Sequence, residues 1–301
     1  MTTLSEDKKH VVEDDVPADI RKKISTFPCM PQAAIKLREL FKEDDVPINK
    51  IENILRQDPG LSANILRLAN SAHFGVSSKV GSLKKAVLLL GLKRFEQIAI
   101  SAYMNKTMDK VVEGYDLAPG ELWIHSIAVA TTAEAIAKLL KVPDSSDVFI
   151  AALLHDIGKL ILGEFIKADS RHIESVIAKG EPMVRAEYLV LGTDHAEIGA
   201  LILKRWSFPD DIVNAVRWHH DPEYISITQN CLKEPNTKSD IVYLSNLIFQ
   251  SLKINDPTGA KLAMPVPEVF DRLRIKSDQY KLIAEKAICW FANLSDTLSF
   301  D

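Results

Sequence analysis

Residues 148–162 read VFIAALLHDIGKLIL, an apolar run in which His155, Asp156 and Lys159 are the only ionisable groups. Its length and lack of alternation argue for a helix that is apolar on nearly every side, and such helices are buried. Unpaired buried ions are costly, so an imidazole, a carboxylate and an ammonium within one helical turn need compensation. Pairing of Asp156 with Lys159, three residues on, is the plain answer; a bound cation is the other.

Outward from this stretch the same period persists. Apolar residues recur at three and four along most of the chain and no segment alternates for long, so the sequence predicts an all-α fold. Helices are expected over residues 17–26, 31–42, 48–56 and 61–71, then over 82–108 with a break near Gly91. In QDPG, Asp58 is placed to cap a helix and Pro59 to fill its first turn. Asn70 and Ser71 are placed either to satisfy the end of that helix or to fix the first lobe against the second. EGYDLAPG, residues 113–120, concentrates Gly and Pro and reads as a hinge. A long helix over 119–141 follows, then the opening stretch and helices over 171–178, 182–191, 194–206 and 210–220. A polar linker at 229–240 leads to 241–252 and two terminal helices. The expected organisation is a tail over 1–16, a first helical lobe over 17–113, a second over 114–227, and C-terminal helices over 238–301 completing that second lobe.

Composition removes several classes of function. A net charge of −4 with no basic run argues against nucleic acid as a partner, since such binders carry a concentrated positive face. Cys29, Cys231 and Cys289 are odd in number and widely spaced, as in a reducing cytoplasm rather than a disulfide framework. AVLLLGL at 86–92 is far too short to span a bilayer, so no membrane contact is expected.

Six of the eight histidines are worth weighing, since His10 lies in the tail and His73 in a loop, although each of the six singly is more often structural. His125 follows Glu121 by four residues, so both share a helix face. His155 and Asp156 are adjacent. His195 lies just after Asp194, which with Glu197 reads as a capping box, placing the imidazole in a first helical turn. His219 and His220 end a helix, and neighbouring imidazoles reach one cavity only near such a terminus. Four helices thus each deliver imidazole or carboxylate, the inventory from which bundle cores build sites for one or two divalent cations. With no thiolate in the set, iron or manganese is the expected metal.

In this order the motifs resemble the HD superfamily of metal-dependent phosphohydrolases, with HDIGK similar to the form in HD-GYP phosphodiesterases. FPCMPQAAIKLREL, QDPGLSANILRLANSAHFG, SLKKAVLLLGLKR and LGTDHAEIGALILKRWSFPDDIVNAVRWHH resemble the HDOD (HD-related output domain) family from about Phe27 to Pro222. The resemblance implies a two-lobed helical bundle with an HD-domain-like second lobe, and a bacterial signalling module that works through a protein partner, with a homodimer also expected. It implies metal ligands at Glu121, His125, His155, Asp156, His195, His219 and His220. At the final ligand position, an aspartate in the enzymes, it places Asn246, which brings an oxygen but no charge and should weaken one cation site. The alternative it implies is a working phosphohydrolase in which Asp156 and Lys159 are catalytic. HHDPEYISI replaces the GYP loop, which removes the main reason to expect a cyclic dinucleotide substrate.

Overall fold

The computed structural model describes residues 15–30, 32–41, 43, 46–71, 74, 79–222, 237–250 and 262–298. Cys231, His73 and most of the 229–240 linker and of HHDPEYISI lie outside the described residues. Among the described residues every regular element is helical, and the one extended pairing is an isolated antiparallel bridge between Val112 and Leu117. In chain order the helices are α1 (Ala18–Thr26), α2 (Gln32–Leu40), α3 (Ile48–Leu55), α4 (Pro59–Ala69), α5 (Leu83–Leu90) and α6 (Leu92–Met108). After a 3₁₀ turn at Glu113–Tyr115 come α7 (Glu121–Leu139), α8 (Ser145–Leu154), α9 (Lys159–Ala168), α10 (Ser170–Ile177), α11 (Met183–Leu191), α12 (His195–Arg205) and α13 (Asp210–Arg217). The last three are α14 (Thr237–Gln250), α15 (Pro267–Leu273) and α16 (Ser277–Leu298). No helix among the described residues is long and apolar enough to cross a membrane.

The chain divides into two compact units, Met1–Phe27 with Lys110–Cys289, and Pro28–Asp109 with Trp290–Asp301. The boundaries differ from those expected. α1, assigned to the first lobe on sequence order, clusters with the larger unit, where Arg205 Nη1 donates to the carbonyls of Ile24 (2.5 Å) and Phe27 (3.0 Å). Phe27 stacks near Trp206 there, and Ile20 and Ile24 are buried. Residues 290–298, expected with the second lobe, cluster with the smaller unit.

The smaller unit is built around α6, whose Phe95, Ile98, Ala102 and Met104 are fully buried. Its corners follow the sequence signals. Asp58 Oδ1 accepts from the Leu61 N–H at 2.9 Å with Pro59 in the first turn, and Ser82 Oγ caps α5 by accepting from Lys85 N–H. Gly91, at φ 75°, turns α5 into α6 in a conformation that disfavours any Cβ. Asn70 takes over backbone duties at the end of α4: its Nδ2 donates to Leu66 and Val80 carbonyls while its Oδ1 accepts from Val80 N–H.

In the larger unit α7 and α8 pack along each other, and Trp123, Ile127, Val129 and Ala133 of α7 and Phe149 and Leu153 of α8 are all buried. α14 lies against both. Lys238 at its start bridges Asp147 of α8 and Asp211 of α13, and Asp240 takes a bidentate Arg272 from α15 at 2.7 and 2.8 Å. The helix expected over 148–162 is interrupted. α8 ends at Leu154, residues 155–158 form turns bonded three residues back (Ile157 N–H to Leu154 O, Lys159 N–H to Asp156 O), and α9 begins at Lys159. The interruption is fixed by close approach: a Cβ on Gly158 would lie 2.0 Å from the His195 carbonyl oxygen. The segment expected as a hinge is also anchored. A Cβ on Gly114 would lie 2.2 Å from the Gly163 carbonyl, so the 3₁₀ turn sits directly on α9 inside the larger unit.

Candidate metal centre

Five elements of the larger unit converge on one point. α7 brings His125 from its second turn. The turn after α8 brings His155 and Asp156, and the break there lets both side chains face inward instead of diverging around a helix. α12 brings His195 in its first turn, held because Asp194 Oδ1 caps the helix at Glu197 N–H, 2.9 Å. The Glu197 carboxylate, on the same turn, makes a buried ion pair with Arg217 at 3.0 Å. α13 stops at Arg217, so His219 and His220 both lie past its end and their ring centroids come within 4.1 Å. α14 brings Asn246, buried at 2% exposure.

Asp156 is the centre. Its Oδ1 lies 3.2 Å from His195 Nε2 and 3.8 Å from His219 Nε2, and its Oδ2 lies 3.3 Å from His155 Nε2 and 3.5 Å from His125 Nε2. Lys159 Nζ donates to Oδ2 at 2.6 Å, so the pairing expected from the sequence forms. Two groups of donors result, His125 with His155 and Asp156, and Asp156 with His195, His219 and His220. Asn246 Oδ1 joins the first at 3.1 Å from His125 Nε2.

The outer ring atoms explain why so many Nε2 atoms point inward. His155 Nδ1 faces the Ala152 carbonyl at 2.7 Å, His219 Nδ1 the Val216 carbonyl at 2.6 Å, and His195 Nδ1 the Glu187 carboxylate at 2.7 Å. A ring that donates through Nδ1 presents a lone pair at Nε2, the arrangement by which metal-binding histidines are oriented. Yet Nε2 atoms face each other, 3.3 Å apart for His125 and His155 and 2.9 Å for His195 and His220. His219 Nε2 and Asp156 Oδ1 are buried with no hydrogen bond. Imidazole nitrogens crowded against one another and orphaned buried atoms are what a divalent cation would satisfy, and the nitrogen and oxygen donors fit one.

The electrostatics follow from the same contacts. Burial pushes the His219 and His220 imidazoles well below their usual range, with the neighbouring imidazoles adding to the effect. Burial likewise pushes His125 down to about 3, against the pull of Asp156. His195 moves the other way: burial disfavours its charge, but Glu187 and Asp156 outweigh burial and raise it to about 9. Burial works against the Asp156 carboxylate, yet His155 and Lys159 hold it well below the usual range. The metal-free cluster therefore keeps one proton on His195, in the place a cation would take.

Glu121 is not brought into the cluster. Its Oε2 accepts from the Ala118 N–H at 2.8 Å and so closes the start of α7, where backbone donors lack helical partners. His172 sits on the surface beside Asp169. Two residues outside the expected set matter. Glu187, fully buried on α11, accepts from both the His195 ring and its backbone N–H, and Tyr115 donates to Glu187 Oε1 at 3.0 Å. The only sequence signal for Glu187 was an acid in the apolar stripe Val184, Glu187, Leu191.

The HDOD domain family matches residues 27–222. An uncharacterized protein of Treponema pallidum (strain Nichols) is 25% identical over 208 residues, 68% of this chain but 39% of that protein, so the chain spans well under half of that relative. The crystal structure of a candidate phosphohydrolase from Shewanella amazonensis SB2B superposes with a TM-score of 0.68 at 25% identity, covering 92% of this chain and 94% of that one. That of an HDOD domain protein of unknown function from Geobacter sulfurreducens superposes at 0.69 with 22% identity, over 92% and 96%, and speaks to fold alone.

Proposed function

Because the chain belongs to the HDOD domain family, we propose that it is a cytoplasmic regulatory module of bacterial signalling, acting through protein contacts, with a divalent cation in its HD-like pocket. The observation that carries this reading is enclosure. His155 and His219 are 0% exposed, Asp156 1% and His195 2%, so the centre admits an ion far more readily than a phosphodiester. Closed, protein-saturated sites are the mark of structural metals, and catalytic ones keep an open position. A cation here would lock five elements together, and its loss would be felt on the surface shown to a partner. Iron or manganese suits the imidazole and carboxylate donors. The Asn246 amide, where the resembling enzymes carry an aspartate, supports the same reading.

A second reading, a metal-dependent phosphohydrolase, is favoured by the edge of the site. His125 and Lys159, with side chains 14% and 17% exposed, are among its partly accessible members, as is His220. A bound metal would supply an acidified water there. The Lys159 ammonium would stabilise charge on a transferred phosphoryl group, and Asp156 would hold the ligand set together.

One experiment separates the two. Protein purified without chelator is assayed for iron and manganese, then screened for phosphodiester and nucleotide hydrolysis with Mn²⁺ or Fe²⁺ added. Bound metal without turnover is the expected outcome; turnover abolished by Asp156→Ala would replace the regulatory reading with the hydrolytic one, and protein that takes up no metal would end both.

A further inference from the structure

The two donor groups around Asp156 are not equivalent, and their inequality has a consequence for how many ions the pocket takes. On one side, Oδ1 of Asp156 accepts no hydrogen bond and faces His195 and His219, with His220 adjoining. Three imidazoles and the carboxylate oxygen that Lys159 does not hold make a four-donor set. Behind it stands a second buried carboxylate, Glu187, against the His195 ring, which adds negative charge and raises the basicity of that ligand. On the other side, Oδ2 already receives the Lys159 ammonium at 2.6 Å. Its remaining donors, His125, His155 and the Asn246 amide oxygen, are all neutral ligands. A cation there would sit beside an ammonium and lean on a carboxylate oxygen that is already paired, without a second acid to offset either.

We infer that the pocket takes a single divalent cation, held by Asp156, His195, His219 and His220, and that Lys159 and Asn246 together keep a second ion out of the His125–His155 side. The inference rests on the reading of the pocket as a divalent-metal site and adds to it which donors are used. Lys159 is then a positioning residue: its ammonium does for Asp156 Oδ2 what a second metal would do, and fixes the carboxylate so that Oδ1 is presented to the remaining ion. Asn246 acts with it by withholding charge.

The test is equilibrium dialysis of the metal-stripped full chain against Mn²⁺, read by elemental analysis and by electron paramagnetic resonance. One Mn²⁺ per chain with an uncoupled six-line spectrum is expected. His220→Ala should weaken binding at least tenfold and by more than His125→Ala does, while His172→Ala, on the surface beside Asp169, should leave affinity unchanged. The double variant Lys159→Met, Asn246→Asp should take up two ions and show a spin-coupled spectrum. Circular dichroism melts establish that each variant is folded, and the wild-type stoichiometry decides the question even where a variant is not. Two coupled ions in the wild type, or loss of the single ion in His125→Ala with retention in His220→Ala, overturns the inference while leaving a metal site in place. No uptake at all overturns the metal reading beneath it.

Discussion

Glu187 grips His195 at two points, its carboxylate accepting from the backbone N–H at 2.8 Å and from ring Nδ1 at 2.7 Å. The first contact fixes the start of α12 and the second fixes the tautomer and direction of the ring. Glu187→Gln keeps the shape and removes the charge. It should lower affinity for a divalent cation about 10- to 100-fold, the usual effect of losing such an outer partner. Competition with a metallochromic chelator measures it, and an unchanged far-ultraviolet spectrum separates lost affinity from lost fold.

The acidity of the cluster predicts a stability profile for the metal-free chain. His125, at about 3, and His219 and His220, well below their usual 6.5, stay neutral in the fold, so the unfolded chain binds more protons below pH 6.5 and stability falls on acidification. His195 has the opposite sign. Its folded value near 9 lies above the unfolded 6.5, so its contribution is complete below pH 6.5 and is lost as pH rises through 9. The melting temperature should therefore peak near pH 6.5–7 and decline on both sides. With metal bound the alkaline decline should disappear, because the cation replaces the His195 proton. Thermal melts from pH 5 to 10 with and without Mn²⁺ check both arms.

Helix existence was readable from periodicity, and the converging histidines from their positions at element ends. What could not be read was decided by contacts distant in sequence. Nothing local ends the helix at Leu154; the break comes from the backbone approach of Gly158 to the His195 carbonyl. Glu121 shares a face with His125 as its spacing demands, but its carboxylate turns back to the Ala118 N–H in the turn that precedes α7. Glu187 carries little local signal because its partner His195 lies on the next helix. α1 was assigned to the wrong neighbour in space because sequence order says nothing of Arg205 reaching the Ile24 and Phe27 carbonyls.

Gly158→Ala tests the break directly. The added methyl would meet a backbone oxygen rather than a flexible side chain, so relief requires moving α12 and with it His195. A loss of at least about 2 kcal/mol in denaturant unfolding is expected, accompanied by reduced metal content. Full stability with full metal occupancy would show that the turn adjusts freely.

Cyclic di-GMP should be hydrolysed weakly or not at all, since HHDPEYISI lacks the loop that follows the paired histidines in the resembling enzymes. Chromatography of the nucleotide after incubation with Mn²⁺-loaded protein reads this, and robust turnover lost in Asp156→Ala would contradict it.

The donors of the cluster are scattered from His125 on α7 to Asn246 on α14, and adjacent ones in space come from helices far apart along the chain. Such a set exists only after most long-range pairing is complete, so it forms late, beyond the barrier to folding. An ion captured there acts on time rather than on route: refolding runs at the same speed with or without it, while escape from the native state slows by the full strength of the coordination. The cation is a brake on unfolding, and the lifetime of the fold becomes a readout of metal supply.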